Sequence, residues 1–174
     1  MAEKIRVLLS EAEVMQKVEE IAAQINRDYE GRELTIIGIL KGAVFFTCEL
    51  AKRITVPVTM DFMSVSSYGS GTESSGKVKI IKDLDLPIEG KDVIIVEDII
   101  DSGFTLSYLK GFLAQRNPNS IRLCTLLNKP ERRVKKEVAV DYEGFCIPDQ
   151  FVVGCGLDYD QKYRNLPYIG VVEF

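Results

Sequence analysis

The stretch Val93-Ile94-Ile95-Val96-Glu97-Asp98-Ile99-Ile100-Asp101-Ser102-Gly103-Phe104-Thr105-Leu106-Ser107 decides how the chain is read. Residues 92–96 form a short β-branched run, apolar enough for a strand covered on both faces. Two neighbouring carboxylates, Glu97 and Asp98, end that run. Asp101 follows after two isoleucines, and a turn of small residues leads into a helix predicted over residues 104–115.

Working outward, residues 34–40 (LTIIGIL) predict a second doubly covered strand, and a helix is expected over residues 43–54. Residues 56–66, 78–84 and 121–127 predict further strands, with Asn117-Pro118-Asn119 marking the turn before the last. Ser10 and Glu13 fit a capping box, and Val14, Val18, Ile21 and Ile25 recur at helical spacing, so residues 10–29 predict an amphipathic helix that stops at Gly31. The tail holds strand-like pieces at residues 138–142, 151–153 and 168–173. Residues 67–77 (SYGSGTESSGK) predict a mobile loop. Strands alternating with helices imply an α/β fold with a mostly parallel central sheet flanked by helices, and residues 1–174 are expected to form one domain. Ligands of such sheets sit beyond the carboxyl ends of the strands.

Composition narrows the chemistry. Apolar residues make up 46% and charged residues 28%, which describes a globular core. The net charge of −4 gives no support to nucleic-acid binding. No apolar run reaches the roughly 20 residues of a membrane span, and the N-terminal residues show no signal-peptide core. Cys48, Cys124, Cys146 and Cys155 form no C-x-x-C pair, so free thiols and a cytoplasmic location are expected. Histidine is absent. That excludes a Ser-His-Asp triad and an H-E-x-x-H zinc site. Catalysis must then use carboxylates, Lys, Arg, Tyr, backbone amides or a hard metal ion.

The turn Ser102–Thr105 predicts a phosphate cradle, because free N–H groups at a helix N-terminus favour an anion and Gly103 permits close approach. Read alone it is equally a plain helix cap, the commoner case. Glu97 and Asp98 suit sugar hydroxyls or a water-bridged magnesium ion. Three carboxylates within five residues beside a phosphate turn weigh against a merely exposed strand end.

The string VIIVEDIIDSGFTL resembles the phosphoribosyl-pyrophosphate signature of type I phosphoribosyltransferases, and in detail their hypoxanthine-guanine branch. The resemblance continues in family order through Lys41-Gly42, Ser67-Tyr68-Gly69, Lys129-Pro130, residues 151–154, Asp158 and Arg164, and so covers most of the chain. It implies a small hood formed by terminal segments, a lid loop at about residues 67–77, and transfer of a 5-phosphoribosyl group to N9 of hypoxanthine or guanine with release of pyrophosphate. Under it, Glu97 and Asp98 contact the ribose hydroxyls, partly through magnesium. Ser102, Gly103, Phe104, Thr105 and Leu106 hold the 5-phosphate, and Asp101 handles the proton at N7. Lys129 reads the purine O6, Phe151 stacks on the base, and the backbone near Val152 and Asp158 reads the 2-position. Lys41, Gly42, Ser67, Tyr68 and Arg164 bind pyrophosphate, Asp158 adds a second magnesium site, and the Lys41-Gly42 turn carries an unusual cis peptide. A homodimer or homotetramer is implied as well.

Outside the resemblance, a lysine at a strand end reads as solvated and Phe151 as core packing. The run Arg132-Arg133-Val134-Lys135-Lys136 reads as a solvated surface sooner than a nucleic-acid patch. Residues 71–77 nearly spell a phosphate-binding P-loop but fail at Val78, where a hydroxyl is needed. Two alternatives stay open: a nucleotide-sensing RNA-binding regulator on the same fold, and a transferase preferring xanthine.

Overall fold

The computed structural model describes residues 3–68 and 77–174, with Ser67 and Tyr68 described in their backbone alone. The strands are β1 (Lys4–Leu9), β2 (Leu34–Leu40), β3 (Val58–Tyr68), β4 (Lys77–Lys82), β5 (Asp92–Ile100), β6 (Ser120–Asn128), β7 (Tyr142–Cys146), β8 (Val152–Val153) and β9 (Ile169–Glu173). The helices are α1 (Glu11–Asp28), α2 (Val44–Ala51) and α3 (Phe104–Ala114), with a 3-10 turn at Pro130–Arg132. The main sheet runs β4-β3-β2-β5-β6-β7, parallel throughout except for β4. A separate antiparallel sheet, β1-β9-β8, joins segments from the two ends of the chain and forms the expected hood.

Alternation along the central strands explains the three layers. Ile36, Ile94, Val96, Cys124 and Leu126 face α1 and α2, together with Val152, Ile169 and Val171 of the hood. Ile37, Ile39, Val93, Ile95 and Leu123 point the other way and meet Leu106, Leu109 and Leu113 of α3. A period of two with both faces apolar is what a doubly covered parallel strand requires. Ile95 is fully buried. Ile95→Ala is expected to cost about 2–5 kcal/mol of stability, read as a lower urea midpoint with an unchanged slope.

The Ser10 capping box forms as expected, with the Glu13 amide donating to Ser10 Oγ and the Ser10 amide donating to Glu13 Oε2 at 2.7 Å. Several boundaries differ from the sequence reading. The first strand, β1, was not anticipated. Its KIRVLL is short and mixed in polarity, and its partner β9 lies at the far end of the chain. Strand β5 runs on to Ile100 because pairing with β6 continues past the carboxylates, through Glu97↔Thr125 and Ile100↔Asn128. Strand β7 starts at Tyr142, where the 138–142 piece was expected to end. Asp141 explains this: its amide donates to the Leu123 carbonyl and its Oδ2 accepts from the Leu123 amide, which starts the parallel pairing one residue later. Helix α2 ends at Ala51, short of residue 54. The ends of the expected 67–77 loop are strand, with Ser67↔Val78 and Tyr68↔Lys77 paired. Residues 69–76, on which the rest of the lid expectation falls, lie outside the described residues.

Candidate active site

Four parallel strands deliver the predicted residues to one edge of the sheet. Strand β2 ends at Lys41 and Gly42, β5 at Asp101–Gly103, β6 at Lys129, and β7 a few residues before Asp149.

The turn expected to cradle a phosphate is built by backbone. Gly103 adopts φ 89° and serves as the N-cap of α3 with no side-chain cap. That left-handed geometry favours glycine. The first turn of α3 carries no acid, and among the described residues the side-chain acceptor bonded to its amides is Ser102 Oγ, 3.4 Å from the Phe104 amide. The amides of Thr105 and Leu106 are thus available to an anion, and that of Phe104 on release of its long contact with Ser102 Oγ. Residues 97–103, Thr105 and Leu106 line a cavity of about 220 Å³.

Glu97 and Asp98 stand at the wall of that cavity. The Asp98 amide donates to Glu97 Oε1 at 3.1 Å and the Ile99 amide donates to Asp98 Oδ1 at 2.7 Å. Burial, and then the neighbouring Asp98 charge, push the Glu97 carboxyl well above the usual carboxylate range. Burial also raises Asp98, against its hydrogen bonds and the opposing charge of Arg164. Two acids held this way ask for a cation or polar hydrogens from a ligand.

The Lys41-Gly42 turn lies directly against Asp98. A Cβ built on Gly42 would stand 1.9 Å from Asp98 Oδ2, and one on Gly156 would stand 2.0 Å from the Gly42 carbonyl oxygen. The peptide between Leu40 and Lys41 is cis. Arg164 Nη1 donates to the Gly156 carbonyl at 2.7 Å, and Arg164 Nη2 lies 3.3 Å from Asp158 Oδ1. Gln161 ties this side together, its Oε1 accepting from Arg164 Nη2 at 3.1 Å and Lys41 Nζ at 3.4 Å. Its amide donates to Asp158 Oδ2 at 2.9 Å. Lys41, Gly42, Asp158 and Arg164 therefore form one polar corner beside the buried acids.

On the other side, Asp101 leaves its carboxylate 44% exposed, with Oδ1 accepting from Arg132 Nε at 2.7 Å. Lys129 is buried, contrary to the solvated reading, and faces Asp149 Oδ1 at 3.7 Å. Phe151 is half exposed, contrary to the core reading, and meets Tyr159 and Phe174 edge-on at 5.6 and 6.0 Å. Val152 is buried in β8. Ser67 and Tyr68 end β3, and their side chains lie outside the described residues. Among the described residues no group of three or more acid, Cys or His side chains forms a metal cage.

The sequence reading missed Arg132, Arg133, Asp149 and Gln161. The basic run does reach the surface, but its arginines are engaged. Arg132 bridges Asp101 and Asp149, and Arg133 donates to the Asp101 carbonyl and to Asn128 Oδ1. The amides of Val134 and Lys135 donate to the Ser102 carbonyl at 2.9 Å, beneath the phosphate turn. The adjacency of this run to Lys129 was the available signal; Gln161 offered none.

The family model described as phosphoribosyl transferase domain matches residues 7–160. The hypoxanthine-guanine phosphoribosyltransferase of Bacillus subtilis is 53% identical over 168 residues, covering 97% of this chain and 93% of that protein. A bifunctional protein TilS/HprT of Listeria monocytogenes is 52% identical over 168 residues, and there the chain spans only 26% of the relative's length. A crystal structure of a hypoxanthine-guanine phosphoribosyltransferase from Bacillus anthracis superposes with a TM-score of 0.93 at 51% identity, covering 98% of this chain and 100% of the other.

Proposed function

This chain belongs to the phosphoribosyl transferase family, and from that premise we propose that it is a purine salvage enzyme. It transfers the 5-phosphoribosyl group of phosphoribosyl pyrophosphate to N9 of hypoxanthine or guanine, yielding IMP or GMP and pyrophosphate. The observation that carries this reading is one cavity in which a helix N-terminus with glycine at its cap adjoins two neighbouring carboxylates, Glu97 buried and Asp98 partly buried. A ribose 5-phosphate has that charge pattern: an anion at one end and a vicinal diol at the other.

In this reading the amides and hydroxyls of Ser102–Leu106 hold the 5-phosphate. Glu97 and Asp98 accept from the ribose hydroxyls and orient C1 toward the base. Lys41, Gly42 and Arg164 bind pyrophosphate, with Ser67 and Tyr68 completing that side. Arg164 offers a planar fork of donors that suits a phosphate. Asp101 accepts the purine proton at N7 as N9 attacks C1. Lys129 donates to O6, which favours 6-oxopurines over adenine, whose amino group is itself a donor. Phe151 stacks on the ring, while the backbone near Val152 and Asp158 reads the 2-position.

The donor set also fits magnesium. Magnesium keeps several waters and takes one or two carboxylates plus substrate phosphates, so a full protein cage is not needed. Glu97 and Asp98 would hold one ion, and Asp158 a second on the pyrophosphate side. When bound, the ion neutralises the charge that develops on the leaving pyrophosphate. All four cysteines are free, which suits the cytoplasm, and no helix among the described residues is long and apolar enough to cross a membrane. We read residues 1–174 as one domain that assembles as a homodimer or homotetramer. The intact set of Asp101, Lys129, Phe151, Asp158 and Arg164 favours an enzyme over the RNA-binding alternative.

Initial rates of pyrophosphate release with hypoxanthine, guanine, xanthine and adenine test this reading. Hypoxanthine and guanine are expected to react, and adenine to be slower by at least about tenfold to a hundredfold, the worth of one charged hydrogen bond turned repulsive. Adenine reacting as fast as hypoxanthine would remove the assignment of Lys129.

A further inference from the structure

Asp101 and Lys129 belong to different loops, yet a purine must meet both at once along its N7–O6 edge. The β5–β6 ladder sets the spacing of their backbones, with the Lys129 amide donating to the Ile100 carbonyl at 3.0 Å, and leaves the orientation of the two side chains to other contacts. Asp101 lies in a turn with its carboxylate 44% exposed, so packing does not fix its rotamer. Polar contacts do. Its Oδ1 accepts from Arg132 Nε at 2.7 Å and its carbonyl from Arg133 Nε at 3.1 Å. Among the described residues Oδ2 has no partner, which leaves it as the oxygen available to N7.

The same guanidinium continues the chain of contacts. Arg132 Nη1 donates to Asp149 Oδ2 at 3.4 Å, and Asp149 Oδ1 faces Lys129 Nζ at 3.7 Å. Acid, base, acid and base alternate from one purine-reading group to the other. The guanidinium is planar and presents its donors at fixed angles, so two acceptors on it are held in fixed relation. A lysine at this position could satisfy one acceptor as a point charge but could not orient two.

We propose that Arg132 and Asp149 are positioning residues that fix the spacing and orientation of Asp101 Oδ2 and Lys129 Nζ, so that acid and cation read the purine N7–O6 edge as one unit. The proposal rests on the roles given above to Asp101 and Lys129. Arg132 and Asp149 touch no reacting atom; they act through the two groups that do. Proton transfer needs heavy atoms about 2.6–3.2 Å apart, and a displacement of about 1 Å can cost about a hundredfold in rate. Exposed ion pairs, by contrast, add little to fold stability. Activity should therefore respond to these residues much more than the melting temperature does.

The test combines Arg132→Gln, Arg132→Lys and Asp101→Asn, each also measured for melting temperature. Arg132→Gln is expected to lower kcat with hypoxanthine by at least about tenfold, with the KM for phosphoribosyl pyrophosphate within about twofold and the melting temperature nearly unchanged. Arg132→Lys should restore only part of the loss. Added to Asp101→Asn, the Arg132→Gln change should lower kcat by clearly less than it does alone, because the Asp101 arm is already disabled and only Lys129 is left to be misplaced. Full activity of Arg132→Gln beside an impaired Asp101→Asn would overturn the positioning role and leave the proposed function intact. An equal loss in both backgrounds would mean that Arg132 acts independently of Asp101, and would also overturn it. Full activity of Asp101→Asn would remove the role of Asp101 itself, and this inference with it.

Discussion

Asp101→Asn is expected to lower kcat with hypoxanthine and guanine by about 10²–10⁴-fold, the range that a positioned proton acceptor contributes. The KM for phosphoribosyl pyrophosphate should stay within several-fold, because the proposed function places the donor on the turn at residues 102–106 and on Glu97 and Asp98. The substitution keeps the shape of the side chain and its acceptor toward Arg132 Nε, which now stands 2.7 Å from Oδ1. It removes the negative charge and the second acceptor oxygen. Lower turnover at unchanged donor affinity marks an interaction made chiefly in the transition state. Steady-state kinetics with the donor and the base varied separately checks this. Turnover within about twofold of the unsubstituted enzyme would exclude a proton role.

Glu97→Gln combined with Asp98→Asn is expected to have the second large effect, in opposite directions on binding and on stability. The pair is held unfavourably, since loss of solvent raises both carboxyls and Asp98 adds its charge to the rise at Glu97. A native-state carboxyl raised above its unfolded value binds a proton more tightly when folded. Its contribution is then fully present below the unfolded value, near 4, and is lost as pH rises through the raised native values. At pH 8 without ligand, the double variant should accordingly be more stable than the unsubstituted chain by about 1–3 kcal/mol, or a few degrees in melting temperature. At pH 4 the gain should shrink. Donor binding should weaken by at least about a hundredfold, since two charge-assisted contacts are worth about 1.5–3 kcal/mol each. Thermal melts at the two pH values, with and without phosphoribosyl pyrophosphate and magnesium, measure both effects. A variant that melts lower at pH 8 and still binds donor would contradict this assignment of the pair.

The parts legible in the sequence were those whose physics is local. The doubly apolar run 92–96, the Ser10 capping box and the small-residue turn at 102–105 each declare their conformation within a few residues, and each formed. The chemistry of the site was legible for a different reason. The resemblance of residues 93–106 to the phosphoribosyl-pyrophosphate signature implied it, while three carboxylates beside a helix N-terminus and the absence of histidine alone left the reaction open. What escaped was long-range. Strand β1 exists because β9 supplies its partner, with Lys4 opposite Glu173. Arg132 and Asp149 meet across a sequence gap in which a bend brings β7 back beside β6. Lys129 and Phe151 illustrate the same point in reverse, one buried and one half exposed where local sequence suggests the opposite. Exposure follows from which loops close over a position, and no window of neighbouring residues reports that.

The proposed function requires that the turn at residues 102–106 and the acids Glu97, Asp98 and Asp101 hold an activated pentose. The most direct measurement is the electron density of crystals grown with phosphoribosyl pyrophosphate and magnesium. The 5-phosphate should lie on the amides of Phe104, Thr105 and Leu106, with the ribose hydroxyls within hydrogen-bond reach of Glu97 and Asp98, directly or through the metal and its waters. Donor density at any other place, with that turn left without phosphate, would contradict it.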